Sequence, residues 1–376
     1  MPTLRRAGFA AALAALPVAF AYRFALVYRV RAGYPQPHPP RYTPADLGLA
    51  FDATTVRTAD GLDLPAWFIP AGLDPAPGVV LVHGWESARD RTLPNAQILH
   101  AAGFHVLTFD VRGHGANEAE TLPISGGEYG VDARAAIRTM LARPDVTAVG
   151  VLGHSMGGVG TLLAAAAEPR VAAVVTVSAP ADPYRLTRQT FRLARLPLPD
   201  PVAWPLAWLT TRVYLRPRGH TVRGTSAARA IATYRGPLLL IHGTDDFVVP
   251  PAHLARLASA ARAGRRGRRD AAPIETLLVE GGHHSWLYEF PAYRAAIGRF
   301  FASTLGGRYA PAEAAARAEG VAATRLADPS ISLSVAEREP GGHRSLAGVL
   351  WARLRGPDRV APPPAIDGSG DPATVG

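Results

Sequence analysis

Cysteine and lysine are both missing from this chain of 376 residues, so the 40 basic side chains counted apart from histidine are all arginine. Each absence excludes chemistry. Without lysine there is no Schiff base with a carbonyl or pyridoxal substrate, no Walker-type phosphate loop and no kinase strand lysine. Without cysteine there is no thiolate nucleophile, no disulfide and no zinc–thiolate site. A catalyst built on this chain must work with Ser, His, Asp, Glu, Tyr or Arg. The H-E-x-x-H pattern is also missing, and the adjacent His283 and His284 lack carboxylates at metal-ligand spacing. No metal and no other cofactor is therefore expected.

What is present is apolar and basic. The hydrophobic share of 48% supports a sizeable core, and the length allows one large domain with appendages, or two. A net charge of +10 would ordinarily suggest nucleic acid. Here the arginines are scattered and accompany heavy use of Ala, Gly and Pro, which reads as compositional bias. No nucleic-acid partner is expected. The tightest cluster, Arg262, Arg265, Arg266, Arg268 and Arg269, reads as a solvated loop.

Residues 1–31 stand apart. Arg5 and Arg6 precede an uncharged run from Ala7 to Tyr22, which extends to Tyr28 if Arg23 snorkels to an interface. The expectation is a membrane anchor, and with it a membrane-associated protein. A cleaved secretory signal ending near Ala19-Phe20-Ala21, which would leave the protein secreted, and a buried helix are the alternatives. A stiff proline-rich linker follows over 32–50. From Phe51 to Leu305, strand-like apolar runs alternate with helical patterns, which predicts an α/β domain with a mostly parallel sheet. About sixty residues near 180–236 break that alternation. Residues 306–376 turn Ala-, Gly- and Pro-rich and are expected to be a disordered tail, with Leu346 to Leu354 as a docking helix within it.

The most informative segment is Gly153-His154-Ser155-Met156-Gly157, a G-x-S-x-G pattern where an apolar strand gives way to a helix. A serine on so sharp a turn has a strained backbone, so its neighbours two positions away must lack side chains. The turn exposes Ser155 Oγ and aims a helix N-terminus at any oxyanion formed beside it. Serine needs a base and an orienting acid. Loops after later strands offer both: His242-Gly243-Thr244-Asp245-Asp246 and Gly281-Gly282-His283-His284. From the residues alone, either aspartate and either ring could serve.

These motifs resemble the α/β-hydrolase superfamily with a serine triad, and within it the serine-aminopeptidase-like and Bem46-like branch, over roughly 51–305. Val82-His83-Gly84-Trp85 is similar to the family's oxyanion-loop strand end, and Phe109-Asp110-Val111-Arg112-Gly113-His114-Gly115 to its second-strand signature. Gly243-x-x-Asp246-x-x-Val249-Pro250 is similar to its acid loop. The resemblance implies a central, mostly parallel sheet flanked by helices, with an inserted lid at about 180–236. It implies catalytic Ser155, Asp246 and His284. His283 stays a live alternative to His284, because it stands where the family has a glycine. The implied oxyanion donors are the backbone N–H groups of Trp85 and Met156. Apolar lid residues, among them Phe191, Trp204 and Trp208, are expected to line the pocket. His83, His114, His154 and His242 are expected to be structural, and Asp110 with Arg112 a loop-stabilising pair. The lid arginines (Arg185, Arg188, Arg192, Arg195, Arg212, Arg216) are expected to be either a solvated face or contacts to an acidic substrate or lipid headgroup. The implied activity is an esterase or lipase-like hydrolysis of a small or lipid ester through an acyl-enzyme. A peptidase or amidase with the same triad, or a silent membrane-associated binding protein, are the other readings.

Overall fold

A computed structural model describes residues 2–72, 75–268 and 272–322, with side chains from residue 15 onward. The expected Leu346–Leu354 docking helix lies outside the described residues. In chain order the elements are α1 (Pro2–Ala32), β1 (Asp52–Arg57), β2 (Asp63–Ile69), β3 (Ala76–Val82), α2 (Leu93–Ala101), β4 (His105–Phe109) and α3 (Gly126–Leu141). Then come β5 (Val146–His154), α4 (Met156–Ala167), β6 (Val171–Val177), α5 (Pro183–Leu193), α6 (Asp200–Leu215) and α7 (Ala227–Thr233). The last are β7 (Leu238–Gly243), α8 (Ala252–Arg265), β8 (Ile274–Val279), α9 (Pro291–Leu305) and α10 (Pro311–Glu319).

The strands form one sheet in the order β1-β2-β4-β3-β5-β6-β7-β8. β1 and β2 form an antiparallel hairpin, β2 pairs antiparallel with β4, and every later pairing is parallel. Every residue of β3 and of β4 is buried, as expected for strands covered on both faces. One core lies under α3, α4, α7 and α8, and the other under α2, α9 and α10. From β3 the chain crosses to β4 on one side, then returns to β5 on the other. The resulting crevice at the ends of β3 and β5 is where doubly wound sheets bind ligands. Both the Gly84-Trp85 loop and Ser155 fall there.

Three expectations change. Within the segment expected to be a tail from residue 306, α10 is ordered and packs on α9 with Ala314 and Ala318 fully buried. The Arg294 guanidinium caps it, donating to Glu319 O at 2.8 Å. An alanine-rich segment looks featureless in sequence, yet small side chains are what allow two helices to meet closely. Second, among the described residues no helix is long and apolar enough to cross a membrane. The stretch from Phe24 to Tyr28, expected as the far half of an anchor, packs against α5 and α6 instead. Ala25 is fully buried, and the Phe24 and Phe191 rings meet edge-on at 5.5 Å. Third, Asp110 and Arg112 do not pair with each other. Asp110 binds Arg89, while Arg112 holds Asp132 at 2.6 Å and Asp60 at 2.7 Å.

Candidate active site

Ser155 sits between β5 and α4 with φ 53° and ψ −119°, a conformation costly for any residue with a Cβ. The strain is held by its surroundings. Its N–H donates to Val177 O at 2.9 Å. A Cβ on Gly157 would strike the Val82 and His83 carbonyls, and one on Gly153 would strike Thr161 and the Gly157 backbone. Both glycines are therefore steric requirements of the turn.

Ser155 Oγ lies 3.0 Å from His284 Nε2, and His284 Nδ1 lies 2.8 Å from Asp246 Oδ2. The structure thus brings His284, not His283, to the serine. His283 is exposed, with Nδ1 only 3.4 Å from Asp245 O. Asp246 is 2% exposed, and Asp245 faces out, accepting from Thr244. Burial alone would raise the Asp246 carboxyl. The charge of His284 and hydrogen bonds from His242 and His284 more than offset this and hold it well below the usual carboxylate range. It also accepts from the Val249 N–H at 2.8 Å. It is built to stay ionised.

His242 has a position that sequence did not reveal. Its Nε2 lies 2.6 Å from Val249 O and 3.2 Å from Asp246 Oδ2, so it donates toward the acid as well as satisfying the strand end. His154 Nε2 donates to the His284 carbonyl at 2.7 Å and fixes the base from the main-chain side. Burial, helped by the nearby His284, pushes His154 down to about 3, so it is neutral at working pH.

The loop after β3 is braced equally well. The Val111 N–H donates to His83 Nε2 at 3.0 Å, which places the His83 proton on Nδ1, 2.8 Å from Gly84 O. Tyr129 Oη donates to the same Gly84 carbonyl at 2.9 Å and lies 3.1 Å from His114 Nε2. A trans peptide points its C=O and N–H in opposite directions. Pinning Gly84 O on the buried side therefore turns the Trp85 N–H away, toward the cavity that Trp85, Ser155 and Met156 share. The Met156 N–H, at the first turn of α4, has no intrahelical acceptor. Tyr129→Phe should lower kcat/KM about tenfold, less than the roughly 10²–10³ typical of losing an oxyanion donor outright. Steady-state kinetics with a thermal melt checks this. An unchanged kcat/KM would show that the phenol has no part in setting the loop.

The cavity over Ser155 has a volume of about 550 Å³, within the range for small-molecule sites. Phe191, fully buried, lines it as expected. Trp204 and Trp208 do not. Trp204 packs edge-on against Tyr184, and Trp208 is half exposed with Arg212 stacked 3.5 Å over its ring. The reason is helical phase, since α6 turns Thr211, Tyr214 and Leu215 inward instead. Of the lid arginines, Arg188 binds Asp200 at 2.6 Å and Arg185 lies 3.5 Å from Asp182, while Arg192, Arg195, Arg212 and Arg216 are exposed. Among the described residues, no group of three His, Asp or Glu side chains is placed to hold a metal ion.

Residues 74–223 match the family model of the serine aminopeptidases, S33. A 2,6-dihydropseudooxynicotine hydrolase of Paenarthrobacter nicotinovorans is 33% identical over 120 residues, 31% of this chain and 32% of that protein. An uncharacterized protein of Mycobacterium tuberculosis is 29% identical over 209 residues, 54% of this chain and 65% of its own. The chain thus spans less than two thirds of the curated relatives it matches. A Pyrococcus furiosus esterase structure superposes with a TM-score of 0.58 at 20% identity, covering 73% of this chain and 98% of that one. The fold is that of the α/β-hydrolases.

Proposed function

We propose that this protein is a serine hydrolase of the α/β-hydrolase superfamily that cleaves a carboxylic ester through an acyl-enzyme. The observation that carries this reading is the continuous hydrogen-bonded line from Ser155 through His284 to an ionised, buried Asp246, beside two backbone donors and beneath an apolar cavity. Ser155 Oγ attacks the ester carbon while His284 Nε2 takes its proton. The Trp85 and Met156 N–H groups hold the developing oxyanion. His284 then returns the proton to the departing alcohol, and the same base activates the water that releases the acid. Asp246 keeps the His284 proton on Nδ1 and stabilises the imidazolium.

Labelling with a fluorophosphonate probe tests the reading, with Ser155→Ala as control. Wild type should label and the variant should not; an unlabelled wild type would sink the proposal. Peptidase or amidase action by the same triad is the second reading, supported by the serine-aminopeptidase match across 74–223. Paired kinetics on acyl esters and aminoacyl amides separates the two. Association with a membrane surface through α1 belongs to the same proposal, supported by Leu16, Val18 and Phe20, which are 61%, 68% and 74% exposed.

A further inference from the structure

The cavity over Ser155 is roofed by two segments far apart in sequence. One is the inserted lid, α5 and α6. The other is the last two turns of α1, which contribute Phe24, Val27, Tyr28, Arg31 and Ala32 to the lining. This contact is specific. Tyr28 meets Phe191 edge-on at 5.9 Å and Tyr214 at 6.1 Å, and its hydroxyl lies 2.9 Å from Thr190 Oγ1. The phenol is thereby satisfied by the lid, so Tyr28 offers the cavity mainly a hydrocarbon face.

The base of α1 is locked to the core. Ile124 N–H donates to Gly33 O at 2.8 Å, and Tyr214 Oη donates to Ile124 O at 2.5 Å and reaches Ala32 O at 3.2 Å. A Cβ on Gly33 would lie 2.6 Å from Arg29 O and 2.7 Å from Pro123 Cβ, so the helix end seats there only because this residue is glycine. Val27, 45% exposed, lies where the wall meets solvent.

We infer that α1 is the specificity-determining wall of this site, and that the substrate carries a medium-length apolar acyl chain lying along the continuous apolar wall that Phe24 and Tyr28 form together with Phe191 and Leu186. The inference rests on the serine-hydrolase reading and deepens it. Volume and chemistry agree with it. An apolar cavity of about 550 Å³ has room for an acyl chain beyond the two carbons of acetate, and each buried methylene strengthens binding about fourfold. Phe24 is the informative position, because its ring is half-buried and packs on Phe191 without a polar partner to satisfy.

The test is a series of p-nitrophenyl esters from acetyl to dodecanoyl on the full chain, with Phe24→Trp and Phe24→Ala. Trp fills the space beside the wall and should move the preferred chain length downward, lowering the decanoyl-to-acetyl ratio of kcat/KM about tenfold. Ala opens it and should move the preference upward. Opposite shifts are not what general misfolding produces. Profiles of both variants that coincide with wild type would overturn the wall. Decanoate binding to Ser155→Ala protein supplies a readout free of catalysis, and adding Phe24→Trp should weaken it about tenfold. If that binding depends on Phe24 while wild type cleaves no ester, the apolar site stands and the serine-hydrolase reading fails. If esters are cleaved and binding ignores Phe24, the wall fails and the hydrolase stands.

Discussion

Ser155→Ala should reduce kcat on an activated ester by roughly 10⁴–10⁶, the loss seen when an acyl-enzyme nucleophile is removed from a complete triad. His284→Ala should cost about as much, because its Nε2, 3.0 Å from Ser155 Oγ, is the proton acceptor of the proposed mechanism. Asp246→Asn should cost about 10⁴, since an amide facing Nδ1 favours the wrong tautomer. The double variant Ser155→Ala/His284→Ala should lose no more than either single one, because the residues act as one unit. Stopped-flow or steady-state kinetics, with intact-mass detection of the acyl-enzyme, reads all four. A Ser155→Ala protein within tenfold of wild type would end the proposed mechanism. Each variant should remain folded. Ser155 gains little by folding into its strained turn, and Asp246→Asn preserves the shape that accepts the Val249 N–H.

Acid should unfold this protein unusually early. Burial is the first cause that drives four histidines below their ordinary value: His83 and His253 to about 4, His114 and His154 to about 3. The unfolded chain binds protons at these sites near pH 6.5, while the folded one does not until much lower. A depressed histidine pKa therefore gives stability that is present above about 6.5 and lost as pH falls toward the folded values. Each site loses up to about 1.4 kcal/mol per pH unit in that window. Together the four should remove roughly 6–8 kcal/mol between pH 7 and 5, comparable with the whole stability of an ordinary domain. The carboxyls of Asp110 and Asp132, raised chiefly by burial, act in the opposite direction, adding stability as pH falls through their raised folded values. Urea denaturation at intervals across this range, with the linked proton uptake, is the check. A flat stability profile would contradict it. The loss bears on activity as well, because a protonated His83 can no longer accept the Val111 N–H that fixes its tautomer beside the Gly84 carbonyl.

Much of the fold was legible because its signals are local. Apolar runs as short as β7, bounded by proline and glycine, identify strands directly. Helix α3 shows the limit. Its amphipathic pattern reads as a helix only from Val131, five residues after the true start, which Ser125 and Glu128 mark as a capping box. The intervening glycines masked it, since glycine in a helix interior argues against the helix. No sequence signal identified Tyr129 as a partner of Gly84, because they are 45 positions apart and joined only by packing.

The sequence by itself determined the chemistry on offer. Missing lysine and cysteine left the oxygen nucleophiles, and Gly153-x-Ser155-x-Gly157 after an apolar strand encoded its own turn, since the steric demand is met within five residues. The tertiary structure decided what those residues face. It chose His284 over the adjacent His283, a choice of side-chain direction on a loop with no periodicity. It turned Trp208 to solvent and Tyr214 inward, half a dozen positions apart on one helix, by the rotation of α6 against the core. It made the end of α1, an apolar stretch in sequence, part of the lining of the cavity over Ser155. Those outcomes depend on which surfaces meet across long stretches of chain, and hydrophobic attraction is non-directional. An apolar segment specifies that it will be covered; only the assembled fold specifies by what.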